Sequence, residues 1–346
     1  MTMVKVAPSV GAFPVRRATW LSLKKRLLIL GSGELAKDLC HVLTSKCRGS
    51  VEVVGFVDHD AMRVGERLMD ARIIGTYESL FEIVERHQVQ AVAVCLDDRR
   101  ARLPVRALLD CKALGLVVVD GHDLYEEESG RLSIDALRPS ALIFSTGFRR
   151  RMISGLLKHL VDVLLAGLGL MVLVPFFLAV ALAIKVDSPG PVFYRQMRVG
   201  LRGQPFMIWK FRSMSNDAEK NGPRWAMTGD PRVSRVGRWL RKSRIDELPQ
   251  FINVLKGDMS LVGPRPERPV FVQDLRERIP YYDLRHTVRP GITGWAQIRF
   301  RYGASADDAH KKLQYDLYYV KNLSLGLDCR ILAHTARVIL LGEGAR

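Results

Sequence analysis

Cysteine is scarce and scattered. Five thiols (Cys40, Cys47, Cys95, Cys111, Cys329) are spread over 346 residues with no paired spacing. That excludes a disulfide scaffold or a finger-type zinc site and fits reduced thiols in a cytosolic setting. The first 25 residues lack the apolar stretch of a cleavable signal peptide. No internal repeat or low-complexity tract is present. Acidic residues are short: 36 Asp and Glu against 53 Lys and Arg leave a net charge of +17. Such a surface attracts phosphates, nucleic acid or an anionic lipid leaflet. Aromatics are thin where the positive charge is densest. Between Arg232 and Arg244 only Trp239 is aromatic, so the stacking platform of a nucleic-acid binder is missing and no nucleic acid is expected as a partner.

What the chain does have is hydrophobic residues, 48% of the total, and a length that favours two domains. From 26 to 120, short β-rich runs alternate with helical stretches: RLLILGSGE, VEVVGFVD, QAVAVCL and GLVVVD read as strands. In YESLFEIVERHQ, Leu80, Ile83, Val84 and His87 share one helical face. Alternating strands and helices imply a doubly wound parallel sheet. In LGSGELA, Gly31, Gly33 and Ala36 make a G-x-G-x-x-A turn after a strand, and Asp58 ends the next strand. This is a weak dinucleotide fingerprint, since glycine turns also serve simple strand-to-helix packing. The expected organisation is a tail (1–25), a Rossmann-like nucleotide-binding-type or regulatory domain (26–145), a linker with its arginine run Arg149–Arg151 and an apolar helix (146–186), and a second, mainly α domain (187–346).

VLLAGLGLMVLVPFFLAVALAI, Val163 to Ile184, runs 22 residues without a charge. As a straight helix it is about 33 Å long, enough to span a bilayer, though a buried core helix is the bland alternative. Pro175 sits near its middle and is expected to kink or break the helix. Basic residues flank both ends, whereas a simple span concentrates them on the cytoplasmic side. A re-entrant helix that enters and leaves on one face reconciles the two flanks. RVSRVGRWLRKSR (Arg232–Arg244) puts Val233, Val236, Trp239 and Leu240 at helical spacing among arginines, as an interfacial amphipathic helix does. A solvated basic face over a protein core is the alternative.

SRIDELPQF places two carboxylates side by side, Asp246 and Glu247, after Arg238, Arg241, Lys242 and Arg244. Pro249 and Gly257 predict a helix from Asp246 to Leu255. In the plain reading Asp246 caps that helix and Glu247 complements its dipole. In the chemical reading the helix start and the arginines hold both acids ionised. One then attacks phosphorus while the other holds a hard cation such as Mg²⁺. Phosphoryl transfer also needs cationic donors. Lys210, Arg212, Arg244, Arg265 and Arg289 are the candidates.

The segments KHLVD, DSPGPVFYRQMRVG, FMIWKFRSM, RKSRIDELPQFINVLKGDMSLVGPRPE, RPGITGWAQI and DLYYVKNLSLGLDCRIL occur in that order between 158 and 332. In them the chain resembles the bacterial sugar transferases, the monotopic polyprenyl-phosphate glycosyl-1-phosphate transferases. Residues 26–145 resemble the Rossmann-like module that precedes this domain in larger members, which usually begin with several membrane helices. The resemblance implies transfer of sugar-1-phosphate from a nucleotide-diphosphate sugar, usually a UDP-sugar, to undecaprenyl phosphate with release of UMP. It implies Asp246 as covalent nucleophile, Glu247 as Mg²⁺ partner, Asp316 as a further substrate-site residue, and Pro175 as the kink of a re-entrant helix. It also implies the inner-membrane lipid as a partner, at the cytoplasmic face, and leaves open a homo-oligomer. Val174 stands where a serine is common, and His159 where an arginine is usual. The resemblance does not name the sugar or the surface glycan that is built. A catalytically silent membrane-bound regulatory or scaffold protein is the alternative, and the intact acid pair argues against it.

Overall fold

The computed structural model describes residues 25–46, 51–96, 103–135, 147–148, 152–215, 217–218, 230–300 and 305–341. Residues 1–24 of the expected tail (1–25) and the arginine run Arg149–Arg151 lie outside the described residues. The chain divides into two compact units, Met1–Phe144 and Ser145–Arg346.

The first unit is α/β. Its strands are β1 (Lys25–Leu30), β2 (Val51–Asp58), β3 (Arg67–Leu68), β4 (Ala71–Thr76), β5 (Ala91–Val94) and β6 (Val117–Asp120). Its helices are α1 (Glu34–Lys46), α2 (Leu80–Arg86), α3 (Val105–Ala113) and α4 (Gly121–Ser129). The sheet order is β3-β4-β2-β1-β5-β6, with every pairing parallel except β3 with β4. The expected doubly wound sheet is therefore present. Successive side chains of a strand point to opposite faces. Thus Leu27 and Ile29 of β1 enter one core with α1 and α4, while Leu28 and Leu30 enter another with α2 and α3. Helices on both faces explain why β5 and residues 27–30 of β1 are unbroken apolar runs.

The second unit starts with α5, Met152–Asp187, a helix of 36 residues with Pro175 inside it. At helical rise it is about 54 Å long. Helical structure continues through Pro175, so the segment is not split in two there, and a kink, the other form the expectation took, is compatible with that continuity. A proline removes one donor, which frees one carbonyl a turn earlier, and the turns on either side hold the helix together. The segment Gly155–Asp187 has a mean hydropathy of 2.7 and is long and apolar enough to cross a membrane. It is largely bare of protein: Leu156, Met171 and Val186 are 72%, 74% and 80% exposed. A core helix of a soluble domain would bury such residues.

The rest of the unit is mainly helical. It comprises the hairpin β7 (Phe193–Val199) and β8 (Pro205–Phe211), α6 (Arg235–Lys242), a 3-10 turn (Ile245–Gln250), α7 (Phe251–Lys256), β9 (Ser260–Val262) and α8 (Pro269–Arg278). A second 3-10 turn (Tyr282–Thr287), β10 (Gly291–Thr293), α9 (Trp295–Arg299), α10 (Ala306–Lys321) and α11 (Leu325–Leu341) complete it. On α5, Val180 and Ile184 pack with Phe211 of β8 and Leu240 of α6. α6 forms as expected, with Ser234 capping it by accepting from the Gly237 amide at 3.0 Å. It buries Leu240 and leaves Trp239 exposed. Gly237 is required there, because a Cβ would lie 2.0 Å from the Ser213 carbonyl oxygen.

Candidate active site

The chain turns from α6 into the acid pair at Arg244, which adopts a left-handed conformation (φ 56°). That region is uncommon for a residue with a side chain, and such strain gathers at functional sites. Arg244 thus holds the capping position of the 3-10 turn and makes no side-chain cap. The plain reading of Asp246 as the cap does not hold. Asp246 and Glu247 lie inside the first turn, both buried. The predicted helix exists in two parts: the turn carries the acids, and α7 follows and ends at Gly257 (φ 82°).

The two acids have opposite surroundings. Glu247 Oε1 accepts from Lys210 Nζ at 2.9 Å and from Arg265 Nη2 at 2.5 Å. Its Oε2 accepts from Arg265 Nη1 at 3.3 Å and faces Arg244 Nη1 at 3.8 Å. Burial opposes its charge, but Arg265, Lys210 and Arg244 outweigh that and hold its carboxyl well below the usual range. Among the described residues, no hydrogen bond or ion pair ends on the Asp246 carboxylate. Burial, and then the charge of Glu247, push Asp246 up to about 6, against the pull of Lys210, Arg265 and Arg241. The expectation that both acids are firmly ionised is therefore corrected: the arginines serve Glu247, and Asp246 bears the desolvation. Burial also lowers the proton affinity of the Lys210 ammonium.

The other candidates divide. Lys210, Arg244 and Arg265 converge on the acid pair. Arg212 does not. It is buried and donates to the carbonyls of Pro189 (2.7 Å), Ser188 (2.6 Å) and Ile184 (3.4 Å), closing the C-terminal end of α5. Arg289 donates through Nε to the Gly257 carbonyl at 2.9 Å, at the end of α7. Asp316, on α10, pairs with buried Arg285 at 2.8 Å. Arg285 in turn donates to the Arg265 carbonyl at 2.8 Å and to the Tyr282 hydroxyl. Asp316 therefore stands behind Arg265, separated from the acid pair by Arg285 and Arg265.

Sequence reasoning missed Arg285, Asn253 and Arg198. Fully buried Asn253 accepts from the Trp209 amide at 3.0 Å and donates to the Met207 carbonyl at 2.7 Å, fixing β8 and hence Lys210 against α7. Arg198 donates to the Pro266 carbonyl at 3.1 Å and steadies the loop that carries Arg265. The signal for Asn253 was a polar residue on the apolar side of FINVLK. For the two arginines there was none among so many.

The site suits a hard cation only in part. Among the described residues no three His, Cys, Asp or Glu side chains gather. Two neighbouring carboxylates, one without a hydrogen-bonded cation, are the donors Mg²⁺ takes when substrate phosphates supply the remaining oxygens. A cation at Glu247 shares its oxygens with Lys210 and Arg265.

In the first unit, Gly31 (φ 112°) lies where a Cβ would meet the Cys95 carbonyl oxygen at 2.4 Å. The buried Asp58 carboxylate accepts from the Ser32 hydroxyl, meets Arg63 Nη1 at 3.3 Å and His59 Nδ1 at 2.7 Å, and accepts from the Asp60 amide at 3.1 Å. Gly33 lies in the same β1–α1 turn and its carbonyl accepts from the Lys37 amide at 3.1 Å.

The family model for bacterial sugar transferases matches residues 153–342, more than half of the chain. The chain belongs to the bacterial sugar transferase family. Three curated relatives agree. This sugar transferase is 46% identical over 255 residues to a UDP-N-acetylgalactosamine-undecaprenyl-phosphate N-acetylgalactosaminephosphotransferase of Aeromonas hydrophila, covering 74% of this chain and 60% of the relative. It is 36% identical to a UDP-glucose:undecaprenyl-phosphate glucose-1-phosphate transferase of Escherichia coli strain K12, covering 75% and 56%. It is 34% identical to a glucose-1-phosphate transferase of the same description from Xanthomonas campestris pv. campestris, covering 92% and 67%. The chain thus spans between 56% and 67% of the length of these relatives.

Proposed function

We propose that the chain transfers sugar-1-phosphate from a UDP-sugar to undecaprenyl phosphate, releasing UMP, as an early step in building a surface glycan. The observation that carries the reading is the contrast inside the acid pair: a buried, unpaired Asp246 beside a Glu247 held by Lys210 and Arg265. An Asp246 oxygen attacks the phosphorus that bears the sugar. The bond from that phosphorus to the bridging oxygen breaks, and UMP leaves with its electron pair. A phosphate oxygen of the lipid then attacks the aspartyl phosphosugar, and the Asp246–phosphorus bond breaks. With a proton affinity near pH 6, Asp246 is mostly ionised at neutral pH yet poorly solvated, a reactive state for a carboxylate. Lys210 and Arg265 supply the charge that meets the equatorial phosphate oxygens. Glu247, with the substrate phosphates, would hold Mg²⁺, which would neutralise the diphosphate.

The acceptor is a lipid phosphate, and the exposed apolar helix α5 supports a membrane location. Nucleotide sugars are cytosolic, so the site belongs on the cytoplasmic face of the inner membrane. The basic flanks of α5 favour both its ends on that face. An impermeant thiol reagent applied to intact cells should then label neither a cysteine near residue 20 nor one near residue 340. Labelling at one end alone shows a true span.

The relatives' names differ in the sugar, so the decisive assay is UMP release from a panel led by UDP-N-acetylgalactosamine and UDP-glucose, with undecaprenyl phosphate as acceptor. The expected result is UMP release with at least one donor by the wild type and none by Asp246→Asn. Equal release by both proteins overturns the nucleophile, and no release by the wild type with any donor favours a silent scaffold.

A further inference from the structure

The hairpin β7–β8 has two faces of different character. Its register pairs Tyr194 with Lys210 and Arg198 with Phe206 on one face, and Phe193 with Phe211, Arg195 with Trp209 and Met197 with Met207 on the other. The first face carries Lys210 to Glu247. The second is an aromatic path that begins on the apolar helix. Phe177 of α5 meets Phe211 edge-on at 5.0 Å, Phe211 stacks on Phe193 at 5.3 Å, and Phe193 meets Trp209 edge-on at 5.8 Å. Beyond Trp209 the path ends in side chains that no protein covers: Met197 and Met207 are 51% and 43% exposed. Leu255, on α7, is 42% exposed, and a Cβ at Gly167 of α5 would lie 3.9 Å from it. Two cations bracket the indole: Arg195 lies 5.0 Å and Lys256 5.5 Å from its ring centre.

We propose that the outer end of this face — Met197, Met207, Trp209 and Leu255, with Arg195 and Lys256 — lies in the headgroup layer of an anionic bilayer. The inference rests on the membrane location of α5 proposed above. Three features select lipid over a second protein. The aromatic path ties the patch to α5 through the buried ring of Phe211, so the patch is fixed beside the helix that a bilayer would take. Tryptophan between cations is the composition of the membrane–water boundary, where the ring sits at headgroup level and long basic stems reach outward. The charge at the rim is positive, which anionic headgroups complement. The alternation of β8 then gives the patch its use. Trp209 and Lys210 point to opposite faces of one strand, so seating Trp209 fixes the height of the Lys210–Glu247–Asp246 cluster above the acyl boundary, where a lipid phosphate presents itself.

The test uses the full chain reconstituted into vesicles of phosphatidylcholine and phosphatidylglycerol whose acyl chains are brominated near the carbonyl end. The emission of Trp209 is read as the difference between wild type and Trp209→Phe. That difference should lose about half its intensity on brominated lipid, as for an indole at the interface. In Arg195→Gln/Lys256→Gln the quenching should fall to the level seen in phosphatidylcholine alone. A Leu168→Trp variant reports α5 separately. If that added tryptophan is quenched and the Trp209 difference is not, the hairpin does not touch lipid and the inference is overturned while the membrane reading of α5 stands. If neither is quenched, both fall. Trp209 shielded from a water-soluble quencher but insensitive to brominated lipid shows a protein partner instead and also overturns the inference.

Discussion

Two buried aspartates, one in each unit, have opposite surroundings, and in the proposed function only Asp246 reacts. Asp58 and Asp246 are almost equally hidden, at 2% and 7% exposure. Asp58 closes the β1–β2 end of its sheet with its charge answered by its own chain: Ser32, the Asp60 amide, His59 and Arg63 offset the cost of burial and hold it below the usual carboxylate range. Asp246 has cations nearby, but its neighbour Glu247 accepts their hydrogen bonds, and its own proton affinity rises. Burial is common to both, so burial alone marks neither as functional. The unanswered charge is what singles out Asp246 as the candidate.

The largest effect expected follows from that difference. Asp246→Asn should lower UMP release by about a thousandfold or more, because an amide is not an anionic nucleophile. The same change should raise the melting temperature at pH 7.5. Asp246 has a folded proton affinity above its unfolded one, so its contribution favours the fold only in acid and is lost as pH rises through about 6. At neutral pH its ionised form is therefore a burden on the fold of up to about 3 kcal/mol. A neutral amide relieves it. A melting temperature that falls sharply would show that Asp246 is a structural acid like Asp58.

Glu247→Gln should behave differently, losing both rate and stability. It takes the counter-charge from Lys210 and Arg265, and breaking a buried pair costs about 3–5 kcal/mol. UMP release should fall about a hundredfold and need more Mg²⁺. The pH profile separates this role from simple damage. In the wild type, kcat/KM should fall as pH drops through about 6, as Asp246 takes up its proton. In Glu247→Gln the acid limb should move to lower pH, because the negative neighbour that raises Asp246 is gone. An unmoved limb breaks the coupling between the two acids.

Asp316→Asn tests the layer behind. It leaves Arg285 buried with a neutral partner and loosens the Arg265 carbonyl. Activity should drop about tenfold with a lower melting temperature. A change confined to KM for the nucleotide sugar would instead return Asp316 to direct substrate contact.

Much of this arrangement was legible in the sequence. The apolar runs of β1 and β5, the glycine turn and the charge-free stretch are strong local signals, and they became the sheet and α5. The adjacent acids were legible as a pair because i and i+1 residues on a helix point different ways. Which cation goes where was not. Arg212 and Arg265 look alike in sequence, yet one closes a helix end and the other holds Glu247, because that choice depends on contacts between residues far apart in the chain. Nor was the division of labour inside the acid pair legible. It needs the burial that only tertiary packing supplies. At Pro175 a missing donor weakens one turn, and the hydrogen bonds on either side keep the 36-residue helical run continuous.

The smallest effect on activity should come from Asp58→Asn. Asp58 lies in the first unit, where its carboxylate already accepts from Ser32 and meets Arg63 and His59. An amide can keep one acceptor but not four partners, and it presents donors to groups that themselves donate. The first unit should lose about 1–3 kcal/mol, the usual cost of unmaking buried hydrogen bonds to a charged group. Hydrogen exchange resolves this by position, with faster exchange expected at the Asp60 and Met62 amides, which depend on the Asp58–Asp60 turn. UMP release should stay within about twofold of wild type, since the groups named as shifting Asp246 all lie in the second unit. The pH dependence provides a second check with the opposite sign from Asp246. Because Asp58 is held below its unfolded range, its stabilisation is present at neutral pH and is lost as pH falls through its folded value. The wild-type first unit should therefore weaken in acid, and Asp58→Asn should flatten that dependence. If Asp58→Asn instead abolishes UMP release while the first unit stays protected, the two aspartates are both functional and the distinction drawn from their partners fails.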